Sequence, residues 1–481
     1  MSSRRDFIQK LGGMSLLIPG AGIPSLYSGG KELSKGKETS KGEDPSGGKS
    51  SAARMIDNPR RVSPNDTVQI ACIGMGIMGY NDTEAAVRVP GVRLVAAGDL
   101  YTGRLQRAKE VYGGDLHTTR DYREILDRKD IDAVIIATSD NWHARIATAA
   151  LEKGKAVYCE KPMVHRVGEG LPLIAAQRQS GRPLQIGSQR VSSVAYAKAR
   201  DLYRAGEIGQ LTCIEASFDR QSALGAWEYT QPTDGSPMTV DWDRYIAGMP
   251  RQAYDAKKFF WWRNYRDFGT GVAGDLFVHL LSGIHFITGS TGPDTIMSSG
   301  QIAYWKDGRD VPDVLTAIMH YPATPEHPAF QLMLRVNFIS AQGETSTVRF
   351  IGSEGVLEMG YDGFTIHHHK MPEAPGIGGW DALTTYPKAM QDQLTSAYDQ
   401  KYPSDKRGYN APAPTVYKVP DGYDEHFEHL SNFFHSVRTG SPVVEDAVFG
   451  FRAAAPCLLA NQSYFDKRII YWNGVEMKER G

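Results

Sequence analysis

The sequence predicts an α/β protein with a doubly wound parallel sheet in its N-terminal half and an α+β domain with a mostly antiparallel sheet in its C-terminal half. Three observations support this prediction. A glycine-rich turn at residues 74–79 follows the first apolar strand. Apolar strands then alternate with helical patterns up to about residue 190, as in parallel sheets. Beyond that residue, six strand-like segments follow one another with no helix between each pair.

Residues 1–64 carry a targeting pattern rather than a folded domain. A twin-arginine pattern surrounds Arg4 and Arg5, and the weakly apolar stretch after it is too short and too rich in glycine to be a stable membrane span. We interpret residues 1–27 as a twin-arginine signal and residues 28–64, rich in Lys, Gly, Ser and Glu, as a flexible tether. This predicts export by the twin-arginine machinery to the periplasm or cell envelope; the alternative is a disordered basic N-terminus.

The composition limits the function of the remaining chain. About 420 residues follow the tether, enough for two domains with hydrophobic cores. The 54 basic and 55 acidic residues give a net charge of −1, which provides no case for binding nucleic acid or an anionic membrane. The cysteines are far apart in apolar segments, so we expect buried free thiols rather than disulfides or a metal site. They are Cys72, Cys159, Cys213 and Cys457.

The first domain is predicted to span residues 65–190. Its strands are apolar throughout, and helices separate them, which indicates a sheet buried on both faces. The predicted strands are 68–73, 92–97, 131–137, 156–159 and 184–186, and helical patterns include 121–127, 144–153 and 171–180. Ligands of such sheets bind beyond the carboxyl ends of the strands. We therefore expect the turn at 74–79 and the segments 138–143 and 160–162 to meet around one ligand.

The glycine-rich turn carries the first functional signal. Gly74 permits a tight turn, Gly76 allows the backbone to approach a pyrophosphate, and Gly79 lets the next helix pack on the sheet. The N-terminus of that helix then holds the anion. An acidic residue ends the second strand, where it can accept from a ribose hydroxyl and would repel a 2′-phosphate. We predict an NAD site at Gly74, Gly76, Ile77, Met78, Gly79 and Asp99; the alternative is a glycine-rich turn without a ligand.

The second domain is predicted to span residues 191–481. Its predicted strands are 211–218, 295–303, 314–321, 330–338, 346–351 and 355–359, and two helical patterns follow at 424–438 and 446–464. The stretch 225–266 is long, irregular and rich in Trp, Tyr and Arg. Loops of that length in compact proteins are usually functional.

Two parts of the chain resemble the Gfo/Idh/MocA oxidoreductases, the relatives of glucose–fructose oxidoreductase and inositol dehydrogenase. The first part is residues 132–143 followed by residues 154–162, which end in Glu160-Lys161-Pro162. The second is a glycine-rich turn followed by Asp275-x-x-x-His279. The resemblance covers roughly residues 66–470. It implies an N-terminal Rossmann domain and an open-faced C-terminal sheet that binds substrate and often mediates oligomers, so we expect a homo-oligomer formed through that sheet.

The resemblance also implies roles for three side chains. Lys161 would hydrogen-bond the reacting hydroxyl, and His279 is the better general base because its intrinsic pKa lies near working pH. Asp275 lies one helical turn before His279 and could fix the histidine tautomer or bind substrate. The alternatives are a surface lysine, a buried structural histidine and a helix N-cap aspartate.

Further contacts are predicted for the cofactor and for the substrate. We expect the cofactor also to contact Thr138, Asn141, His143, Glu160 and Lys161; for residues 141–143 the alternative is an ordinary first helical turn. Aromatic faces stack on sugar C–H groups and arginines bind hydroxyls or carboxylates, which suggests substrate contacts at Arg190, Trp262, Arg263 and Tyr265. We predict no metal site, and we expect His367, His368 and His369 to be solvated because adjacent strand residues point apart.

The combined prediction is an exported NAD-dependent oxidoreductase that acts on a hydroxyl of a sugar, glycoside or polyol. Two alternatives remain open. One is an NAD-dependent glycoside hydrolase that oxidises a ring hydroxyl transiently, eliminates the aglycone and reduces the product back. The other is a non-catalytic, cofactor-binding sensor, which the presence of both Lys161 and His279 disfavours.

Overall fold

The computed structural model describes residues 67–480. The predicted twin-arginine signal (residues 1–27) and tether (residues 28–64) lie outside the described residues, so both stay predictions. Within residues 67–480, no helix combines the length and the apolar character needed to cross a membrane.

The first sheet has six parallel strands in the order β3-β2-β1-β4-β5-β6. Chain order reverses between β1 and β4, so a crevice opens there at the carboxyl ends of the strands. The strands are β1 Val68–Ile73, β2 Val92–Gly98, β3 His117–Thr119, β4 Ala133–Ile136, β5 Ala156–Glu160 and β6 Leu184–Gly187. The predicted doubly wound parallel sheet is confirmed.

Helices connect these strands. Asp121 caps one of them by accepting a hydrogen bond from the N–H of Arg123, and Gly181 ends another in the left-handed conformation. The helices are Ile77–Arg88, Thr102–Tyr112, Tyr122–Asp127, Asp140–Glu152, Gly170–Ser180 and Val194–Arg204. The fourth begins four residues before the predicted position 144, so residues 141–143 form its first turn.

The second sheet has ten strands in the order β14-β13-β12-β11-β7-β10-β9-β8-β15-β16. Only the β10–β7 pair is parallel. The strands are β7 Leu211–Asp219, β8 Thr295–Gln301, β9 Val314–Tyr321, β10 Phe330–Asn337, β11 Thr345–Gly352, β12 Gly355–Met359, β13 Gly363–His368, β14 Thr415–Lys418, β15 Ile470–Asn473 and β16 Lys478–Arg480. The predicted mostly antiparallel sheet is therefore confirmed.

One face of this sheet is covered and the other is open. In β9, Leu315, Ala317 and Met319 are buried, whereas the alternating Thr316 and Ile318 are exposed. Helix Val278–Thr288 and helix Ala447–Asp466 supply buried residues to the same core as the covered face. A further helix, Lys388–Lys401, has no buried residue.

Helix Glu425–Thr439 lies in the predicted second domain but packs against the first sheet. Its Leu430, Phe433 and Phe434 share a buried cluster with Val68 and Ile70 of β1. The predicted boundary between residues 190 and 191 stays a prediction, but this late helix completes the core of the first sheet.

The irregular stretch at residues 225–266 folds against the first domain. It contains the short helices Trp242–Tyr245 and Ala256–Phe260. Val240 forms a β-bridge with Tyr101, and the N–H of Asp241 donates to the carbonyl oxygen of Leu100. The stretch therefore lies beside the carboxyl end of β2, where the ligand crevice opens.

Candidate active site

A cleft lies at the carboxyl ends of β1, β2, β4 and β5. Its walls come from the predicted glycine-rich turn, the segment after β4, the residues after β5 and the irregular stretch. The predicted cofactor residues in these walls are Gly74, Gly76, Ile77, Met78, Asp99, Thr138, His143, Glu160 and Lys161, and the predicted substrate residues in them are Trp262 and Arg263. Gly79, Asn141, Arg190, Tyr265, Asp275 and His279 do not line this cleft.

The three glycines of the turn differ in whether the fold leaves room for a side chain. Gly74 has φ +97°, and a Cβ there would lie 2.5 Å from the carbonyl oxygen of Ala137. A Cβ on Gly79 would lie 1.9 Å from the carbonyl oxygen of Gly74. By contrast, the nearest atom to a Cβ on Gly76 would be Arg104 Cζ at 3.9 Å, so the fold itself does not require glycine there. The open space at Gly76 fits the close approach of a pyrophosphate.

The helix that begins at Ile77 presents its N-terminus to the same cleft. The first N–H groups of an α-helix have no intrahelical acceptor. In the described part of the chain, the N–H groups of Gly76, Ile77 and Met78 have no acceptor elsewhere. These donors and the helix dipole favour an anion at this position, so the residues present fit a dinucleotide.

Asp99 is held in place at the end of β2. Its carboxylate accepts hydrogen bonds from the N–H of Met75 at 2.8 Å and from the N–H of Tyr101 at 2.9 Å. Arg104 Nη1 lies 3.6 Å from Oδ2 of Asp99, and its guanidinium lies near the ring of Phe260. The predicted ribose acid therefore lies in the cleft wall, with one cation beside it.

Lys161 and Asp275 form a buried ion pair behind the cleft. Lys161 Nζ donates to Asp275 Oδ1 at 3.0 Å and to the Asp275 carbonyl oxygen at 3.2 Å, and Arg263 Nε donates to the same Oδ1 at 3.1 Å. Burial opposes charge on Asp275, but Lys161 and Arg263 outweigh it and hold the pKa of this carboxyl well below its usual range. Asp275 is therefore a carboxylate that fixes Lys161 at the cleft wall.

The backbone around Asp275 explains its position. Ala273–Phe277 forms a π-helical turn, and the preceding Thr270 donates from its N–H and its hydroxyl to the buried Asp140. These bonds tie the turn to the helix that begins at Asp140, close to the segment after β4. Asp275 is thus neither a helix N-cap nor hydrogen-bonded to His279: among the described residues, its side-chain partners are Lys161 and Arg263.

His279 follows Asp275 by four residues and does not line the cleft. Its ring centroid is 6.5 Å from that of Phe218 in β7. Burial and the nearby charges of Lys161 and Arg190 lower the pKa of His279 well below its usual value. The ring is therefore neutral near pH 7, and one of its nitrogens carries a lone pair that can accept a proton.

The remaining predicted contacts have mainly structural partners. His143 is buried, and its two ring nitrogens face the carbonyl oxygens of Pro162 and Thr138, so it ties the two cleft segments together. The side-chain oxygen of Asn141 accepts from the hydroxyl of Ser139 within the first helical turn. This geometry fits the alternative interpretation of that segment as an ordinary helix start.

The predicted substrate residues are divided among three places. The Arg263 guanidinium carbon lies 4.2 Å from the Trp262 ring centroid in the cleft wall. Tyr265 is buried in the core and does not reach the cleft. Arg190 instead lies near His279, away from the cleft walls.

The sequence did not predict a buried cluster behind Glu160. Asp82 in the first helix and His426 in helix Glu425–Thr439 are joined by a hydrogen bond of 2.8 Å, and Glu160 accepts from Gln189 Nε2 at 3.1 Å. Burial and the nearby Asp82 raise the pKa of Glu160 to about 8. One ligand atom from each of Asp82, Glu160 and His426 lies within 4.8 Å of the others, the one such trio found in residues 67–480. Asp82 Oδ1 bonds His426 and Glu160 bonds Gln189, whereas Oδ2 of Asp82 is buried without a hydrogen-bond partner among the described residues.

A comparison with protein families supports the predicted fold and cofactor of the first domain. Residues 68–188 match the Gfo/Idh/MocA family, described as an oxidoreductase family with an NAD-binding Rossmann fold. This part of the chain is therefore an NAD-binding Rossmann domain, as the glycine-rich turn and Asp99 predict.

The curated relatives share the same region. The chain is 34% identical over 168 residues to inositol 2-dehydrogenase of Salmonella paratyphi B, which covers 34% of this chain and 49% of that protein. It is 34% identical over 187 residues to scyllo-inositol 2-dehydrogenase (NAD(+)) of Bacillus subtilis, which covers 38% of this chain and 54% of that protein. The chain thus spans about half the length of these relatives.

The similarity of fold extends further than the similarity of sequence. A levoglucosan dehydrogenase solved with NADH and levoglucosan superposes with a TM-score of 0.58 at 17% sequence identity, covering 84% of this chain and 99% of that one. At this identity the likeness concerns the fold, and it confirms the two-sheet architecture that the sequence predicts.

Proposed function

We propose that the protein is an NAD-dependent oxidoreductase that acts on a CH–OH group of a sugar or polyol. The observation that carries this proposal is the position of Lys161, at the end of β5 in the wall of the dinucleotide cleft and fixed from behind by Asp275. The named relatives are inositol dehydrogenases, which supports the same class of substrate.

The geometry of Lys161 leaves it able to bind substrate. A lysine ammonium has three N–H donors, and two of them are used by the carboxylate and carbonyl oxygens of Asp275. The third can donate to the reacting hydroxyl oxygen. Bound NAD supplies the hydride acceptor. We propose that the neutral ring of His279, four residues after Asp275, accepts the proton that leaves the hydroxyl.

We propose NAD rather than NADP as the cofactor. The carboxylate of Asp99 would repel a 2′-phosphate, although Arg104 at 3.6 Å reduces that repulsion. Titration of the purified protein with each cofactor tests this choice. Equal or tighter binding of NADP would show that Asp99 does not select the ribose.

A substrate screen tests the activity itself. Purified protein is mixed with NAD and, separately, with myo-inositol, scyllo-inositol, levoglucosan, glucose and their acidic derivatives, and nicotinamide absorbance reports turnover. No turnover on any of them would contradict the proposal. Nitrophenyl glycosides belong in the same screen, because the relatives lend no support to the hydrolase alternative and nitrophenol release would restore it.

We also propose that the protein is exported and that copies of it associate. The twin-arginine pattern at Arg4 and Arg5 supports export. The Arg4→Lys, Arg5→Lys double variant should stay in the cytoplasm, and its arrival in the envelope would contradict this.

The open sheet face supports a homo-oligomer, because Met297, Ile318 and Met333 are exposed and lie opposite one another on β8, β9 and β10.

A further inference from the structure

Two arginines lie near His279 without an acidic partner. Arg190 donates from Nη1 to the hydroxyl of Tyr196 at 2.8 Å and from Nη2 to the hydroxyl of Ser346 at 3.1 Å. Both acceptors are neutral, so the positive charge of this side chain is hydrogen-bonded but not balanced. Among residues 67–480, the hydrogen-bond partners of the Arg190 side chain are these two hydroxyls.

The hydrogen-bonding capacity of Arg220 is less fully used than that of Arg190. Its guanidinium carbon lies 5.1 Å from the centroid of the Phe218 ring, and its Nε is buried without a hydrogen-bond partner in residues 67–480. The nearby Glu344 is engaged by the hydroxyl of Ser222 at 3.0 Å rather than by Arg220. A buried donor of a charged group without an acceptor is unfavourable, and an anionic ligand beside the Phe218 ring would supply the missing acceptor.

The two arginines converge on one position. Ser346 of β11, which Arg190 contacts, lies directly opposite Phe218 of β7 in the sheet register. Phe218 is also the residue beneath Arg220 and beside the ring of His279. Arg220 and His279 therefore both lie beside Phe218, and Arg190 contacts the strand position directly opposite it.

The local charges do not cancel. Asp275 is the carboxylate near His279, and it is already paired with Lys161 and Arg263. Burial is the main cause of the lowered pKa of His279, and the positive charges of Lys161, Arg190 and Arg220 lower it further. Neither Arg190 nor Arg220 lines the dinucleotide cleft, so the cofactor phosphates at the glycine-rich turn do not account for them.

We propose that the substrate of this site is an anionic sugar or polyol, and that Arg190 and Arg220 bind its negatively charged group. This inference rests on the proposed function for the identity of the site, and it adds the charge of the substrate. The planar guanidinium suits the oxygen pairs of a carboxylate or a phosphate, and the flanking Phe218 offers an apolar surface for the carbon skeleton.

Binding measurements separate the possible anions from the neutral sugar. The full chain, saturated with NADH, is titrated calorimetrically with glucuronate, glucose 6-phosphate and glucose. We expect glucuronate or glucose 6-phosphate to bind roughly tenfold to hundredfold more tightly than glucose, the range given by one or two charge-assisted hydrogen bonds. The tighter of the two identifies the carboxylate or the phosphate. Glucose binding as tightly as both anions, or no binding by either anion, overturns the inference.

Variants assign the effect to the two arginines. In Arg190→Gln and Arg220→Gln, the ratio of anion affinity to glucose affinity should fall towards one, and lysine at either position should restore part of it. Arg349→Gln is the matched control, because Arg349 lies in β11 of the same sheet but pairs with Glu215 on the open face. An unchanged ratio in both glutamine variants, with melting temperatures like the wild type, overturns the inference.

The two proposals fail in different ways. If the protein turns over neutral polyols and binds no anion preferentially, the oxidoreductase function stands and the inference falls. If glucuronate or glucose 6-phosphate binds in an arginine-dependent manner but nothing reduces NAD, the inference stands and the proposed activity falls.

Discussion

Lys161 is the residue on which the proposed chemistry depends. Lys161→Ala should lower turnover roughly 10²–10⁴-fold, the usual contribution of a group that acts on the reacting proton or oxygen. NAD binding should persist, because the free backbone donors at Gly76, Ile77 and Met78 are untouched. Steady-state rates and a fluorescence titration with NAD measure the two effects.

Lys153→Ala is the control for that variant. Lys153 is an exposed lysine whose Nζ pairs with Asp127 at the surface, so its loss should change neither quantity. A wild-type rate in Lys161→Ala, with an intact melting curve, would remove Lys161 from the reacting site.

The raised pKa of Glu160 leads to a prediction of how the stability of the fold depends on pH. Burial and the nearby Asp82 raise the pKa of Glu160 from its ordinary value of 4.5 to about 8. A carboxyl with a raised pKa in the folded protein stabilises the fold fully below its unfolded pKa, and that stabilisation is lost as pH rises through the folded pKa. His426 changes stability in the same direction, because its bond with Asp82 raises its pKa despite burial.

The expected result is a melting temperature that falls as pH rises from about 5 to about 8. Glu160→Gln stays neutral over this range and should flatten the fall, whereas Glu124→Gln, at an exposed site in helix Tyr122–Asp127, should not. Equal slopes in wild type and Glu160→Gln would contradict the assignment.

The site residues show what a sequence can reveal. Lys161, Thr138 and the glycines could be predicted because each follows a buried strand, and parallel strands bring their carboxyl ends together. Asp82 and His426 could not, because their contact joins positions 344 residues apart and neither residue belongs to a motif. The ion pair of Arg263 with Asp275 was missed for a similar reason, since an irregular stretch places the arginine.

At the level of elements, the glycine-rich turn yields a paired prediction. Gly76→Ala should weaken NAD binding about tenfold or more while leaving the melting temperature near that of the wild type, because its Cβ would enter open space in the cleft. Gly79→Ala should destabilise the fold, because its Cβ would overlap the Gly74 carbonyl oxygen at 1.9 Å.

Isothermal titration with NAD and thermal melting test both variants. A Gly76→Ala protein with wild-type affinity would show that the pyrophosphate does not approach this residue. A Gly79→Ala protein that melts like the wild type would show that the helix can shift away from the turn.

Long strands that are apolar or alternate between buried and exposed residues could be predicted from the sequence, whereas short polar strands could not. The predictions at 68–73, 314–321 and 355–359 match the observed strands, because these segments are apolar or alternate cleanly between buried and exposed residues. His117–Thr119 and Lys478–Arg480 were missed because they are three residues long and mostly polar. The π-helical turn Ala273–Phe277 has no sequence pattern of its own and depends on tertiary contacts.

For the whole molecule, the open sheet face gives a prediction about assembly. Ile318→Asp places a charge in the centre of the apolar row formed by Met297, Ile318 and Met333. If copies of the chain associate through this face, the variant should run as a smaller species in size-exclusion chromatography with light scattering, at an unchanged melting temperature. Thr316→Asp, on the same strand and face, is a control outside that row. A wild-type mass for Ile318→Asp would place the contact elsewhere.

Helix Glu425–Thr439 comes late in the sequence but packs against the first strand of the fold. Its buried Leu430, Phe433 and Phe434 each contribute about 2 kcal/mol by leaving water, which is a large share of a typical net stability of about 5–15 kcal/mol. During synthesis, the first sheet emerges from the ribosome more than two hundred residues before this helix does. The nucleotide site therefore gains its full support only after residues 425–439 have been made, and a chain terminated before this helix exposes an apolar sheet face that chaperones and proteases can recognise.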